Sequence, residues 1–272
     1  KWYPINKGGE FRRWYGNNRY VVNWENNGYE MKNFRDSNGK LRSRPQNESY
    51  YFKEGITWST ISSSSLSMRY SPKGFLFANK GSVCFPNSGN SWEIPLALMN
   101  SKVVNYLLLI LSPTLDFSEG PVGKIPVIKL EKQEVKNIAH SCTDLASLDW
   151  NSFETSWEFL SHPLLNKHYH SSNLQNTFNK LRNSWKENTN KMLNLEEKNN
   201  SIFINEYNLQ DELTPEVPLH EISLLCNPEY RYGSNETEEN KEKRLRSDTI
   251  KDFISYSVGC MFGRYSIDEK GL

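Results

Sequence analysis

The sequence predicts an α+β fold with a strand-rich first half and a mainly helical second half, on three observations. Short β-like runs parted by turn residues crowd residues 1–95. Apolar residues then recur at spacings of three and four across residues 94–111, and charged amphipathic stretches fill the chain from residue 131 onward. The expected division is a recognition domain at 1–130 and a helical spacer and scaffold at 131–272.

In the first part, β-like runs span Arg19 to Trp24, Gly55 to Ile61 and Gly74 to Ala78. Turn signals separate them at Asn26-Asn27-Gly28, Asn38-Gly39, Ser71-Pro72-Lys73-Gly74 and Asn87-Ser88-Gly89. Trp24, Trp58 and Phe75 read as core side chains. Residues 94–111 place Leu96, Met99, Val103, Tyr106 and Ile110 on one helical face, and Pro113 stops the helix. Residues 122–128 read as a strand or an extended exit segment. Helices are expected over Glu131 to Leu148, Asn173 to Asn194 and Leu195 to Asn208, the last two pairing as a hairpin or spacer. Phe178, Leu181, Trp185 and Met192 mark one buried face. Residues 227–247 read as an exposed loop running into a final helix, Asp248 to Phe262.

Composition narrows the function classes. The 272 residues are enough to bury a core, hydrophobic residues make up 36%, and the mean hydropathy is −0.73. No apolar run reaches the roughly 20 residues of a membrane span, and no leader opens the chain, so a cytoplasmic location and no membrane partner are expected. The four cysteines are scattered and read as reduced thiols. The chain starts at Lys1 and reads as a segment of a longer protein. The net charge of +1 hides an asymmetry: residues 1–135 hold 18 Lys and Arg against 11 Asp and Glu, and residues 136–272 hold 15 against 21. Polyanion binding therefore belongs to the first half.

The chemistry of a complete enzyme is missing from the motifs. A glycine-rich methyl-donor loop and an Asn-Pro-Pro-Tyr-type turn for a flipped base are both absent. Asn227-Pro228-Glu229-Tyr230 has Glu where the second Pro is needed and reads as a plain turn. His162, His168 and His170 lack the Cys or carboxylate spacing of a metal site. The Glu-x-Lys pairs at 196–198 and 239–241 lack the Pro-Asp partner of a nuclease. No catalytic, metal-binding or cofactor-binding residue is assigned.

Cations interleaved with aromatics are present in the first half. Guanidinium and ammonium groups attract phosphate, arginine can also pair bidentately with guanine, and short serine side chains approach phosphates closely. The expected phosphate contacts are Arg12, Arg13, Arg19, Lys32 and Lys73. The expected base or groove contacts are Arg42, Arg44, Ser64 and Arg69, with Arg69 at a loop tip ahead of the Ser71 to Gly74 turn.

Whole phrases carry a family resemblance. KWYPINKGGEFRRWYGNN (1–18), YYFKEGITWSTISSSSLSMRYSPKGFLF (50–77), DWNSFETSWEF (149–159), INEYNLQDELTPEV (204–217) and DFISYSVGCMFGRYSIDEKGL (252–272) resemble the recognition and C-terminal region of BREX phage-defence adenine-specific DNA methyltransferases of the PglX type. LALMNSKVVNYLLLILSPTLDFSEGPVGKIPV (96–127) is similar to a segment of type IIG restriction-methylation enzymes and type I specificity subunits. The resemblance implies a parent that moves a methyl group from S-adenosylmethionine to adenine N6. It also implies that the donor and catalytic motifs lie in a domain N-terminal to this region, which itself contacts duplex DNA and chooses the site. A docking module for other defence-complex proteins is the alternative reading.

Overall fold

A computed structural model describes residues 1–62, 64–87, 91–114, 116–128, 130 and 132–265. Two small three-stranded sheets open the chain. In the first, β1 (Trp2–Asn6) pairs antiparallel with β2 (Val21–Asn23) and parallel with β5 (Leu76–Phe77). In the second, β3 (Gly55–Ser59) lies between β4 (Met68–Ser71) and β6 (Gly81–Cys84), both antiparallel to it. The sequence GITWS is buried at every position, as a central strand requires. Trp58 fixes this strand by donating Nε1–H to the carbonyl of Phe117 at 2.8 Å. A one-turn helix, α1 (Tyr29–Lys32), precedes a long irregular excursion that returns at β3. The expected turn at Asn87-Ser88-Gly89 and the expected helix start at Glu131 lie wholly or partly outside the described residues.

The helix expected over 94–111 forms as two, α2 (Glu93–Met99) and α3 (Lys102–Leu111), bent by 62°. Asn100 explains the break. Its side chain accepts from the Met68 amide at 2.8 Å and donates to the Met68 carbonyl at 3.0 Å, pinning the junction to β4. The bend turns Ile110 to the surface, 70% exposed, whereas Leu96, Val103, Val104 and Leu108 are buried. No single helix among the described residues is long and apolar enough to cross a membrane. A short helix, α4 (Glu119–Val122), follows, and residues 126–128 form an irregular exit segment rather than a strand.

The helical part is built on α5 (Gln133–Trp150) and α6 (Leu174–Glu206). The expected hairpin of two helices is a single 33-residue helix, because no Gly or Pro interrupts the sequence around Asn194-Leu195. The expected loop at 227–247 is also largely helical. Pro228–Tyr232 is α7, and α8 runs from Glu238 to Met261. Thr237 caps α8 by accepting from the Asn240 amide, and the charge run that follows is rich in helix-forming Glu, Lys and Arg. One hydrophobic cluster joins residues on both sides of position 130: Trp14, Trp58 and Leu66 share it with Ala139, Leu181 and Leu245.

Between α5 and α6 the chain makes a short turn at His162. This ring is 4% exposed, lies 5.2 Å from Phe253, and accepts the Leu164 amide at Nδ1. Burial pushes its pKa down to about 4. The unfolded chain therefore binds a proton near pH 6.5 that the folded chain refuses until about pH 4. Stability from this group is complete above pH 6.5 and falls as pH drops through that window, by about 3 kcal/mol in all. His162→Asn keeps a capping acceptor and removes the titration. Urea unfolding at pH 7.5 and pH 5 is expected to show a smaller loss for the variant than for the wild type; equal losses would remove His162 from this account.

Candidate nucleic-acid interface

The nine cations and polar residues expected to meet DNA separate into an interior set and a surface set. Arg12, Arg13 and Arg69 are 2%, 4% and 1% exposed. This corrects the expectation of phosphate or groove contact at all three, because no phosphate reaches a guanidinium enclosed by protein. Arg69 is not at a loop tip. It lies inside β4, with β3 on one side and a backbone bridge to Trp14 on the other.

The interior set is organised by carboxylates from the distant helical part. Glu196 on α6 is 3% exposed and uses both oxygens. Oε2 accepts Arg13 Nη1 at 2.5 Å and Oε1 accepts Trp14 Nε1 at 2.7 Å. The other end of the Arg13 guanidinium donates to Glu221 at 2.6 Å. Burial alone would lower the Arg13 pKa, but Glu196 and Glu221 outweigh it and hold the group protonated. Arg12 donates to the Ser223 carbonyl at 3.1 Å, sits 3.7 Å from Asp149, and stacks over Trp150 at 5.0 Å. Asp149 in turn accepts the Leu225 and Cys226 amides at 2.6 and 2.9 Å.

Two backbone features let the chain thread this crowd. Gly16 has φ +116°, and a Cβ there would lie 2.6 Å from Arg12 Cδ and 3.0 Å from the Trp150 ring. Trp14 itself has φ 71°, rare for a bulky residue, and its indole bond to Glu196 holds it there. Arg69 differs from its neighbours. Among the described residues it finds only the Arg12 carbonyl at 3.3 Å and Ser59 Oγ at 3.4 Å, and Nε has no partner there. Burial and then the charge of Arg12 bring its pKa down to about 10.

The surface set comprises Arg19, Lys32, Arg42, Arg44, Ser64 and Lys73. Arg19 is exposed with its guanidinium 5.5 Å from the Trp150 ring, at the rim of a cleft of about 340 Å³ that His162, Arg231 and Asp252 also line. Lys32 is half-buried, 2.6 Å from Glu48 and over the Trp24 ring at 5.2 Å. Arg44 borders a second cleft, of about 790 Å³, with Gln46, Asn47, Tyr51, Phe77 and Asn79. Ser64 and Lys73 are exposed in loops that flank β4. The excursion of residues 29–53 carries a net excess of cations, with six Lys and Arg against three Asp and Glu. Sequence reasoning missed Asp36, which organises part of that excursion; the pattern Asp-Ser-Asn-Gly was the available signal. It also missed Glu196 and Glu221, for which sequence separation left no signal.

The other motifs resolve into structural parts. Asn227 is buried, caps α7 through the Glu229 amide and donates to the carbonyls of Leu219 and Ile222. Among the described residues no group of three or more His, Cys, Asp or Glu could hold a metal ion.

A fold role for the interior set makes a testable distinction. Glu196→Ala leaves the Arg13 guanidinium with Glu221 as its remaining carboxylate and takes the acceptor from the buried Trp14 indole N–H, and is expected to cost about 3 kcal/mol in urea unfolding. Arg69→Met removes a cation that has no carboxylate partner among the described residues and is expected to cost far less. Equal losses for the two would contradict the assignment of Glu196 as the centre of the network.

No protein-family model matches the chain. Curated relatives do. The chain is 40% identical over its whole length to the adenine-specific methyltransferase BrxX of Escherichia coli O9:H4 (strain HS), and 40% identical to the adenine-specific methyltransferase PglX of Lacticaseibacillus casei (strain Zhang). It covers 22% of each. The chain is thus similar from end to end to one stretch of PglX-type adenine-specific methyltransferases, and spans about a fifth of the length of these relatives.

Proposed function

We propose that this chain is the DNA target-recognition segment, in the C-terminal region, of a larger adenine-specific methyltransferase used in BREX phage defence and self-marking. The observation that carries the reading is the end-to-end similarity to such enzymes, combined with an excess of six Lys and Arg over three Asp and Glu in residues 29–53. Duplex DNA is the partner. Arg19, Lys32, Arg44, Ser64 and Lys73 lie on the accessible surface and contact the backbone or a groove, while Arg12, Arg13 and Arg69 support the fold beneath them. The N-terminal catalytic domain of the parent supplies the S-adenosylmethionine site and the pocket for the flipped adenine. In the cytoplasm the two parts would close on DNA from opposite sides. The division at about residue 130 then separates a DNA face from a scaffold, even though both share one core.

A specific feature favours the docking alternative for part of the surface. Ile254, Val258 and Met261 on α8 and Phe262 just beyond its end are all exposed, where another defence protein or the catalytic domain would find an apolar contact.

Fluorescence anisotropy with a random duplex tests the DNA reading. The chain alone should bind with a dissociation constant on the order of 10⁻⁴ to 10⁻⁶ M, with affinity falling steeply as salt rises. Arg44→Ala with Lys73→Ala should lower the slope of log affinity against log salt by roughly 0.9 for each phosphate no longer neutralised. Calorimetry with S-adenosylmethionine should show no binding by the chain. Binding that ignores salt, or an unchanged slope in the double variant, would contradict the proposed surface.

A further inference from the structure

Within the cationic excursion, residues 34–42 fold back on themselves as a miniature hairpin. Arg42 donates its amide to the Phe34 carbonyl at 2.9 Å, Arg35 and Leu41 form a bridge, and Asp36 donates its amide to the Lys40 carbonyl at 3.0 Å. The turn Asp36-Ser37-Asn38-Gly39 closes with the Gly39 amide on the Asp36 carbonyl at 3.0 Å. Gly39 adopts φ 75°, the left-handed conformation this hairpin type needs at that place. The hairpin holds its shape largely through one side chain. Asp36 Oδ1 accepts the Asn38 and Lys40 amides at 3.0 and 2.9 Å, and Oδ2 accepts Arg42 Nε at 2.7 Å.

The bond to Arg42 has a chemical consequence. Phe34 faces Arg42 across the ribbon and Asp36 faces Lys40, so all four lie on one face and Asp36 meets Arg42 diagonally. Asp36 engages the guanidinium through Nε only. The two Nη groups have no protein partner among the described residues, and the side chain is 54% exposed. A guanidinium fixed at Nε presents Nη1 and Nη2 as a pair of parallel donors, the geometry that matches guanine O6 and N7 in the major groove. The width of that groove, about 12 Å, admits a two-stranded ribbon. Lys40 adds further charge on the same face, and Phe34, 60% exposed, offers an apolar edge beside it, while Arg35 lies on the opposite face and donates to the Gly39 carbonyl at 2.8 Å.

We infer that the 34–42 hairpin enters the major groove, where Arg42, held in orientation by Asp36, reads one guanine of the recognised site. Arg42 is then a specificity residue and Asp36 a positioning residue. The inference rests on the reading of the chain as a DNA-recognition segment and adds to it the element that reads and the base that is read.

The experiment maps N6-methyladenine across the genome in cells carrying the full-length enzyme, wild type or variant. The wild type should mark one short motif containing a G·C pair. Arg42→Lys keeps the charge and removes the bidentate fork, so discrimination at that one pair should fall roughly 10- to 100-fold while other positions stay fixed. Asp36→Asn keeps an oxygen for the two turn amides and weakens only the hold on Arg42. It should relax the same position to a smaller degree, with an unchanged unfolding temperature. An unchanged motif at reduced level in Arg42→Lys would make Arg42 a phosphate contact and overturn the inference. So would a wild-type motif lacking any G·C pair. If the wild type marks no adenine at all, the underlying DNA-recognition reading falls, and the inference with it.

Discussion

A single buried carboxylate, Glu196, sets the arrangement of this protein. It accepts a guanidinium N–H from Arg13 and an indole N–H from Trp14, partners 183 and 182 residues away in sequence. Neither bond is available to an isolated segment. Placing Arg13, Trp14 and Glu196 in the interior costs desolvation that their mutual contacts, together with Glu221 on Arg13, offset. The strand-rich part therefore cannot keep this conformation without α6, and α6 cannot bury Glu196 without the strands. Glu221 and Asp149 extend the same logic. They tie the 219–227 segment between Arg13 on one side and α5 on the other.

This constraint explains why Arg12 and Arg13 lie in the interior rather than on the surface. Arg12 and Arg13 lie next to each other in sequence, so two cations enter the core together, and three carboxylates of the helical part converge on them. Arg69 enters the same region and, among the described residues, meets no carboxylate there. The positive excess of the first half is thus partly consumed in structure. What remains outside includes the excursion of residues 29–53, which packs through Tyr51 against Trp24 and Phe77.

The broad plan was legible in the sequence, because periodicity reports the face a segment buries. The strands around Gly55 and Leu76, the core roles of Trp24 and Trp58, and the helix at 133–150 all follow from local pattern. Boundaries were legible only where a local breaker acts. The bend at Asn100 comes from a tertiary bond to Met68, which no periodicity reveals, and α6 continues because nothing in its sequence stops it. The cationic and aromatic composition of the first half was legible, but which of its arginines are buried was not. Arg12, Arg13 and Arg69 look like a nucleic-acid cluster because basic and aromatic residues together serve two ends, stacking on a ligand or stacking on each other. Arg12 over Trp150 is the second case. Only the positions of Asp149, Glu196 and Glu221 decide between them. The hairpin of residues 34–42 could have been read further, since its Asn-Gly turn was visible and Asp36 occupies the position from which an aspartate bonds its own turn.

A buried network that fixes the fold and an exposed ribbon proposed to meet DNA make opposite demands on backbone exchange. Hydrogen–deuterium exchange on the chain, with and without a short duplex at low salt, examines both at once. Amides of residues 192–200 should be strongly protected in the free protein and unchanged by DNA, while new protection should appear at residues 33–44. DNA-induced protection confined to residues 254–262, or a segment 192–200 that exchanges freely before DNA is added, would contradict it.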